Sequence, residues 1–156
     1  MIVRDLMRKR PKSCGQTANL AAVTELLWSC GCGALPVVDL NGHVLGIITD
    51  RDICVALGTR DRRPSELTAQ QVMSREVASC RTTDDIHAAL TIMKTRQVRR
   101  VPVLGEGGEL EGILCVSDLI LDARHDDGSK PQLSYEDVMN TLKSIYCHHT
   151  LTTDTP

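Results

Sequence analysis

The chain repeats itself at a constant spacing of 66 residues. Leu35-Pro36-Val37-Val38 returns as Val101-Pro102-Val103-Leu104, Gly46-Ile47-Ile48 as Gly112-Ile113-Leu114, and Asp52-Ile53 as Asp118-Leu119. The same offset pairs Met7 with Met73, Cys14 with Cys80, Thr17 with Thr83, Ala22 with Ala88 and Gly42 with Gly108, with no gap. An offset that holds through loops as well as apolar positions points to one structural unit used twice. A unit this short seldom buries its apolar face alone, so the two copies are expected to share a core.

Composition narrows the function classes. No apolar run approaches the ~20 residues of a membrane span. Arg4-Asp5 and Arg8-Lys9-Arg10 stand where a secretory signal would carry its apolar stretch. A cytoplasmic location without membrane contact is therefore expected. The net charge is −2, and the only aromatics are Trp28, Tyr135 and Tyr146, so stacking platforms for nucleic acid are missing. Arg8-Lys9-Arg10 and Arg60 with Arg62-Arg63 read as solvated loop or turn residues. In a cytosolic chain the seven cysteines are expected to be mostly reduced. Cys30 and Cys32 lack the two-residue spacing of a zinc knuckle or a thioredoxin-like site. Cys54 and Cys115 lie in apolar stretches and read as small buried hydrophobes. Cys147-His148-His149 has no second ligand pair nearby, so no metal is assigned.

One repeat can be read element by element. Thr17 can cap a helix whose face carries Leu20, Ala21, Thr24 and Leu27; Thr83 does the same for Ile86, Ala89, Leu90 and Met93. A short apolar strand follows, Leu35 to Val38, in which Pro36 implies an edge position or an unpaired amide. Asn41-Gly42, matched by Gly107-Gly108, is a hairpin signal. The return strand is Val44 to Ile48, matched by Leu110 to Leu114. A second helix starts at Thr49 or Asp50, buries Ile53, Val55, Ala56 and Leu57, and can end at Gly58. The lead segments, Val3 to Cys14 and Val72 to Cys80, read as strand or extended. The expected organisation is a first repeat with its lead at 1–58, a linker at 59–66, a second repeat at 67–123, a loop at 124–133, a C-terminal helix at 134–147 capped by Ser134 with Asp137, and a frayed tail at 148–156.

The run of helix, Leu-Pro-Val-Val-Asp, Asn-Gly hairpin and Gly-Ile-Ile-Thr-Asp-Arg-Asp resembles a cystathionine β-synthase (CBS) domain, and two in tandem resemble a Bateman module. The resemblance covers residues 1 to 122 and departs from the pattern at Cys115, where repeat 1 has Thr49. It implies a mixed α+β fold of two small sheets with helices on one side, packed by pseudo-twofold symmetry, and often a homodimer. It also implies clefts between the repeats that bind AMP, ADP, ATP or S-adenosylmethionine as regulatory ligands, with no cofactor required.

The chemistry of those clefts can be argued residue by residue. One carboxylate can accept from both vicinal hydroxyls of a ribose, and Asp52 and Asp118 are placed for this. Thr49 adds a hydroxyl three residues earlier; Cys115 is a weak donor there, which Ser117 could offset. Free amides at the helix N-termini favour phosphate. Arg99-Arg100, before the second strand, suit phosphate recognition, while the equivalent Gly33-Ala34 carry no charge. The Asp52 cleft could borrow Arg99 from across the dyad or use Arg51. Adenine would lie among Ile47, Ile113, Cys32 and Val98. Each Asp also has a simpler role as a helix-capping residue, and Arg99-Arg100 as a solvated strand edge.

No nucleophile–base arrangement is visible, so the chain is not read as an enzyme. The expected function is a stand-alone ligand-sensing module that signals to a partner protein. The alternative is a structural dimerisation module with vestigial clefts. Redox sensing through Cys14 and Cys80 is a weaker third reading.

Overall fold

The computed structural model describes residues 1–125 and 132–147. In chain order the elements are α1 (Val3–Leu6), β1 (Arg8–Lys9), β2 (Cys14–Gly15), α2 (Leu20–Ser29), β3 (Ala34–Val38), β4 (Val44–Thr49) and α3 (Asp50–Arg60). A 3-10 turn (Pro64–Glu66) leads into α4 (Ala69–Val72), β5 (Cys80–Arg81), α5 (Ile86–Arg96), β6 (Arg100–Leu104), β7 (Leu110–Cys115), α6 (Val116–Asp122) and α7 (Tyr135–Tyr146). Each of α4, β5, α5, β6, β7 and α6 starts 66 residues after its counterpart in the first unit. The class is mixed α+β, with two small sheets in the orders β2-β3-β4 and β1-β7-β6-β5.

The lead segments change places. β1 pairs antiparallel with β7, Arg8 opposite Ile113 and Lys9 opposite Gly112. Val3 and Met7 are buried among Leu90, Leu114 and Leu119 of the second unit. Reciprocally, Ser74 and Ile47 exchange both backbone hydrogen bonds, at 2.9 and 3.0 Å, and Ala69 and Met73 are buried with Leu20, Leu35 and Ile48. So the lead that precedes the first repeat in sequence folds onto the second, and the converse. Glycines make room for the crossing. A Cβ on Gly46 would lie 2.8 Å from the Ser74 carbonyl oxygen and one on Gly112 3.1 Å from that of Arg8.

Several local expectations need correction. The leads are not wholly extended: each begins with one helical turn, α1 or α4. The caps are Asn19, which accepts from the Ala22 amide, and Asp85, which accepts from the His87 amide, in place of Thr17 and Thr83. Both caps lie in extended bridges, Asn19 with Thr68 and Asp85 with Ile2, which delay the first turn. The buried face of α2 is Leu20, Val23 and Leu27, with Ala21 and Thr24 exposed; that of α5 is Ile86, Ala89, Leu90 and Met93. α3 runs past Gly58 to Arg60 and ends at Asp61 in the left-handed region. It buries Ile53 and Ala56, while Val55 and Cys54 are exposed and Leu57 is half-buried. Within 59–66, Arg60 still belongs to α3 and Pro64–Glu66 form the 3-10 turn; just beyond, Leu67 is buried and its carbonyl accepts from the Leu20 amide.

Pro36 lies in the central strand β3, opposite Ile47, whose amide and carbonyl face Ser74 instead. Because β2 pairs only with Val37 and Val38, no ladder partner lies beside Pro36. α7 packs on α5 and α6 through Val138, Thr141 and Ile145, with Leu142 half-buried and Tyr146 exposed. Residues 148–156 and most of 124–133 lie outside the described residues, as do His148 and His149.

Candidate functional site

One cleft gathers charged side chains from both units and from the crossing lead. Arg8, Pro11 and Lys12 of the lead, Cys30, Gly31, Cys32, Ala34 and Leu35 of the first unit, and Arg100, Ile113, Cys115 and Ser117 of the second line it. The cavity is about 210 Å³. Arg100 enters it because β6 begins there, paired with Cys115 at the end of β7. Arg8 enters it because β1 lies along the outer edge of β7.

Asp118 stands beside this cleft with both carboxylate oxygens engaged. Arg8 Nε donates to Oδ1 at 2.7 Å, and the Cys115 amide donates to Oδ2 at 3.0 Å. Arg8 Nη2 also donates to Ser117 Oγ at 3.4 Å. The Asp118 side chain is 11% exposed and that of Arg8 60%. The hydrogen bond to Asp118 and then its charge raise the Arg8 pKa further above neutrality. Burial, and next the Asp118 charge, push the Cys115 thiol up, so it stays protonated. α6 is only seven residues long, which leaves little macrodipole to attract phosphate.

The other carboxylate is held differently. Asp52 Oδ2 accepts from the Thr49 amide at 2.9 Å and from Thr49 Oγ1 at 2.7 Å, and the Asp52 amide donates back to Thr49 Oγ1 at 3.1 Å. This is a complete capping box. Among the described residues no ion pair holds Asp52. Arg51 and Asp52 line a groove of about 180 Å³ along α3 with Val55, Ala56, Thr59, Arg60 and Val72.

The remaining expected residues fall on both sides. Ile113 and Cys32 line the Asp118 cleft, whereas Ile47 and Val98 are not on that lining. Arg99 lines a different recess, of about 230 Å³, with Val116, Ile120, Leu142 and Tyr146. It is Arg100, not Arg99, that approaches the first unit: a Cβ on Gly33 would lie 3.2 Å from Asp50 Oδ2 and 3.9 Å from Arg100 Nη1. Arg8 and Lys12 went unrecognised in the sequence. In the sequence Arg8 reads as a solvated loop residue, and only the exchange of leads brings it to Asp118. Cys30 and Cys32, at the wall of the cleft, are joined by a disulfide, while the other five cysteines are free. Burial pushes Cys14 up to about 11 and Cys80 up to about 12, which makes both poor thiolates. Among the described residues no three His, Cys, Asp or Glu side chains group as a metal site. No described helix is long and apolar enough to cross a membrane.

With this geometry in place, the CBS domain model matches residues 3–59 and 69–123. The chain belongs to the CBS domain family and carries two copies of the domain. It is similar to the uncharacterized protein YlbB of Bacillus subtilis, 29% identical over 85% of this chain and 88% of that protein. It is also similar to hypoxic response protein 1 of Mycobacterium tuberculosis, 30% identical over 78% of this chain and 82% of that one. It spans only 46% of another relative, an uncharacterized protein of Methanopyrus kandleri, and 37% of one from Thermofilum pendens. Among solved structures, hypoxic response protein I with two coordinated zinc ions superposes at a TM-score of 0.74, with 27% identity over 80% of this chain and all of that one. The CBS domain pair of protein MJ0100, in complex with 5′-methylthioadenosine and S-adenosyl-L-methionine, does so at 0.68, with 24% identity over 78% of this chain and 94% of that one. CBSX2 in complex with AMP does so at 0.69, with 21% identity over 77% of this chain and 93% of that one.

Proposed function

We propose that the chain is a regulatory module that senses a phosphorylated adenosyl ligand in the Asp118 cleft. The observation that carries this reading is the meeting of Arg8, Lys12 and Arg100 around one cavity that adjoins a carboxylate. Arginine forks suit phosphate oxygens, and a carboxylate beside them suits a ribose diol. The ligands named for two fold neighbours, AMP and S-adenosyl-L-methionine with 5′-methylthioadenosine, support an adenosyl compound. Ile113 and Leu35 supply aliphatic surface for the base.

Binding would join the two units through the cleft wall and so favour one arrangement of the pair. Output then passes to a partner protein, with the chain acting as a cytoplasmic homodimer rather than as an enzyme. Calorimetry and thermal shift with AMP, ADP, ATP and S-adenosylmethionine test the reading. Stabilisation by at least one of AMP, ADP and ATP at millimolar concentration is expected, and a response to S-adenosylmethionine alone would count against a phosphate site. No response from any would leave the structural, dimerising role.

A further inference from the structure

We infer that Arg8 determines which adenosyl compounds the Asp118 cleft accepts, by exchanging its anionic partner when a ligand enters. The inference rests on the nucleotide reading above and adds to it a rule for selection. In the structure the guanidinium lies on the carboxylate that a ribose would use, with Nε 2.7 Å from Oδ1, while Oδ2 already accepts the Cys115 amide. The cavity, at about 210 Å³, is smaller than the ~300 Å³ at which small-molecule sites begin. A ligand of nucleotide size therefore needs something to move. Arg8 is the side chain able to do so: it is 60% exposed, and an ion pair that open to water is weak. Its backbone stays fixed, because β1 is paired with β7 and Met7 is buried.

What Arg8 gains on leaving Asp118 depends on the ligand. A nucleoside without phosphate takes the carboxylate and offers the guanidinium nothing in return. A phosphate gives it a new anion, shared with Lys12 and Arg100 on the same cavity. S-adenosylmethionine brings a sulfonium and an ammonium against a single carboxylate, a net positive charge that is unfavourable beside three basic side chains. The cleft should therefore rank AMP, ADP or ATP above adenosine, and adenosine above S-adenosylmethionine. At the equivalent place in the other unit stands Ser74, and Asp52 is held by Thr49 alone among the described residues, so that side has no such filter.

The test is calorimetry with adenosine, AMP, ATP and S-adenosylmethionine on the full chain and on Arg8→Ala and Arg8→Lys, at fixed ionic strength. The exposed position predicts unchanged folding, which circular dichroism checks. In the parent chain AMP should bind about tenfold or more tighter than adenosine. Arg8→Ala should weaken AMP by about tenfold and leave adenosine equal or tighter, so that the ratio collapses. Arg8→Lys should retain part of it. Equal weakening of adenosine and AMP by Arg8→Ala, or an AMP affinity that does not change, overturns the assignment of Arg8 and leaves the nucleotide reading standing. A parent chain that binds none of the four overturns both.

Discussion

The two carboxylates, Asp52 and Asp118, occupy the same place in the repeated unit, 66 residues apart, yet among the described residues only Asp118 is held in an ion pair. Four substitutions between the repeats account for the difference. Arg8, Lys12, Arg100 and Cys115 on one side stand where Ser74, Ala78, Ala34 and Thr49 stand on the other. Thr49 completes a capping box and ties Asp52 to its own helix. Both Thr49 bonds reach Oδ2, as the Cys115 amide does on Asp118, so each carboxylate keeps its Oδ1 clear of the cap; Arg8 takes that oxygen on Asp118, and Ser74 stands at the equivalent place in the other unit. The Asp52 side is not free of positive charge, since Arg51 and Arg96 stand at the places of Ser117 and Cys30. Neither forms an ion pair with Asp52 among the described residues. What separates the clefts is therefore less the amount of charge than whether the crossing lead brings a cation to Oδ1: Arg8 does so for Asp118, and Ser74 has no charge to bring.

The largest effects test whether the two halves are one unit. Ile48 and Leu114, at equivalent positions, are both fully buried. Replacing either by Ala should lower stability by about 2–5 kcal/mol. Because each core holds the other repeat's lead, both variants should still melt in one transition by calorimetry. A first melting step confined to the mutated half would show that the exchanged leads do not couple the halves.

Next in size is the binding contrast. Asp118→Ala should cost about tenfold to a hundredfold in AMP affinity, the range for a hydrogen bond to a charged group. Asp52→Ala should leave that affinity unchanged, while both lower the melting temperature through loss of a helix cap. Equal losses in calorimetry from the two variants would abolish the distinction between the clefts.

A smaller difference is expected where the leads cross. Gly46→Ala presses on the Ser74 carbonyl at 2.8 Å and Gly112→Ala on that of Arg8 at 3.1 Å. Overpacking of this kind costs about 1–3 kcal/mol. Chemical denaturation should find Gly46→Ala the worse of the two, because its backbone contact is the closer. Gly112→Ala should in addition weaken AMP binding, since it displaces the strand that carries Arg8. An intact affinity would mean that the position of β1 does not matter to the cleft.

Much of this was legible in the residues. The duplicated unit follows from local chemistry that recurs at one offset, including hairpin glycines Gly42 and Gly108 at φ of 85° and 88°. The capping role of Asp52 and Asp118 follows from their distance to the strand end. The owner of each lead was not legible, because α1 and α4 are four residues long and pack by long-range contact. Met7 and Met73 opposite Gly112 and Gly46 carried the signal, but only the folded chain shows which methionine meets which glycine. Arg8 was missed for the same reason: a basic residue in a short run reads as solvated until the strand it sits on is assigned to a sheet. Cys54 shows the opposite error, an apolar neighbourhood in sequence that places the side chain on the outer face of α3.

The smallest expected effect concerns α7, which packs on the second unit and has no counterpart over the first among the described residues. Its N-terminal Asp137 is held below the usual carboxylate range, first by the Ser134 hydroxyl and then, against a desolvation penalty, by the Ser134 amide and His87. A carboxyl whose pKa is depressed on folding stabilises the folded state above its unfolded value, near 4, and loses that contribution as the pH falls through the folded value. The side chain is 34% exposed, so solvent screening keeps the effect to about 1 kcal/mol or less. Asp137→Asn should accordingly lower stability at neutral pH and flatten its decline below pH ~4. The equivalent experiment on Asp52 or Asp118 touches a cleft; on Asp137 it touches only a helix end, so AMP affinity should not change. A loss of affinity in Asp137→Asn would show that α7 bears on the cleft through Leu142 and Tyr146, which share a recess with Arg99 and Arg100.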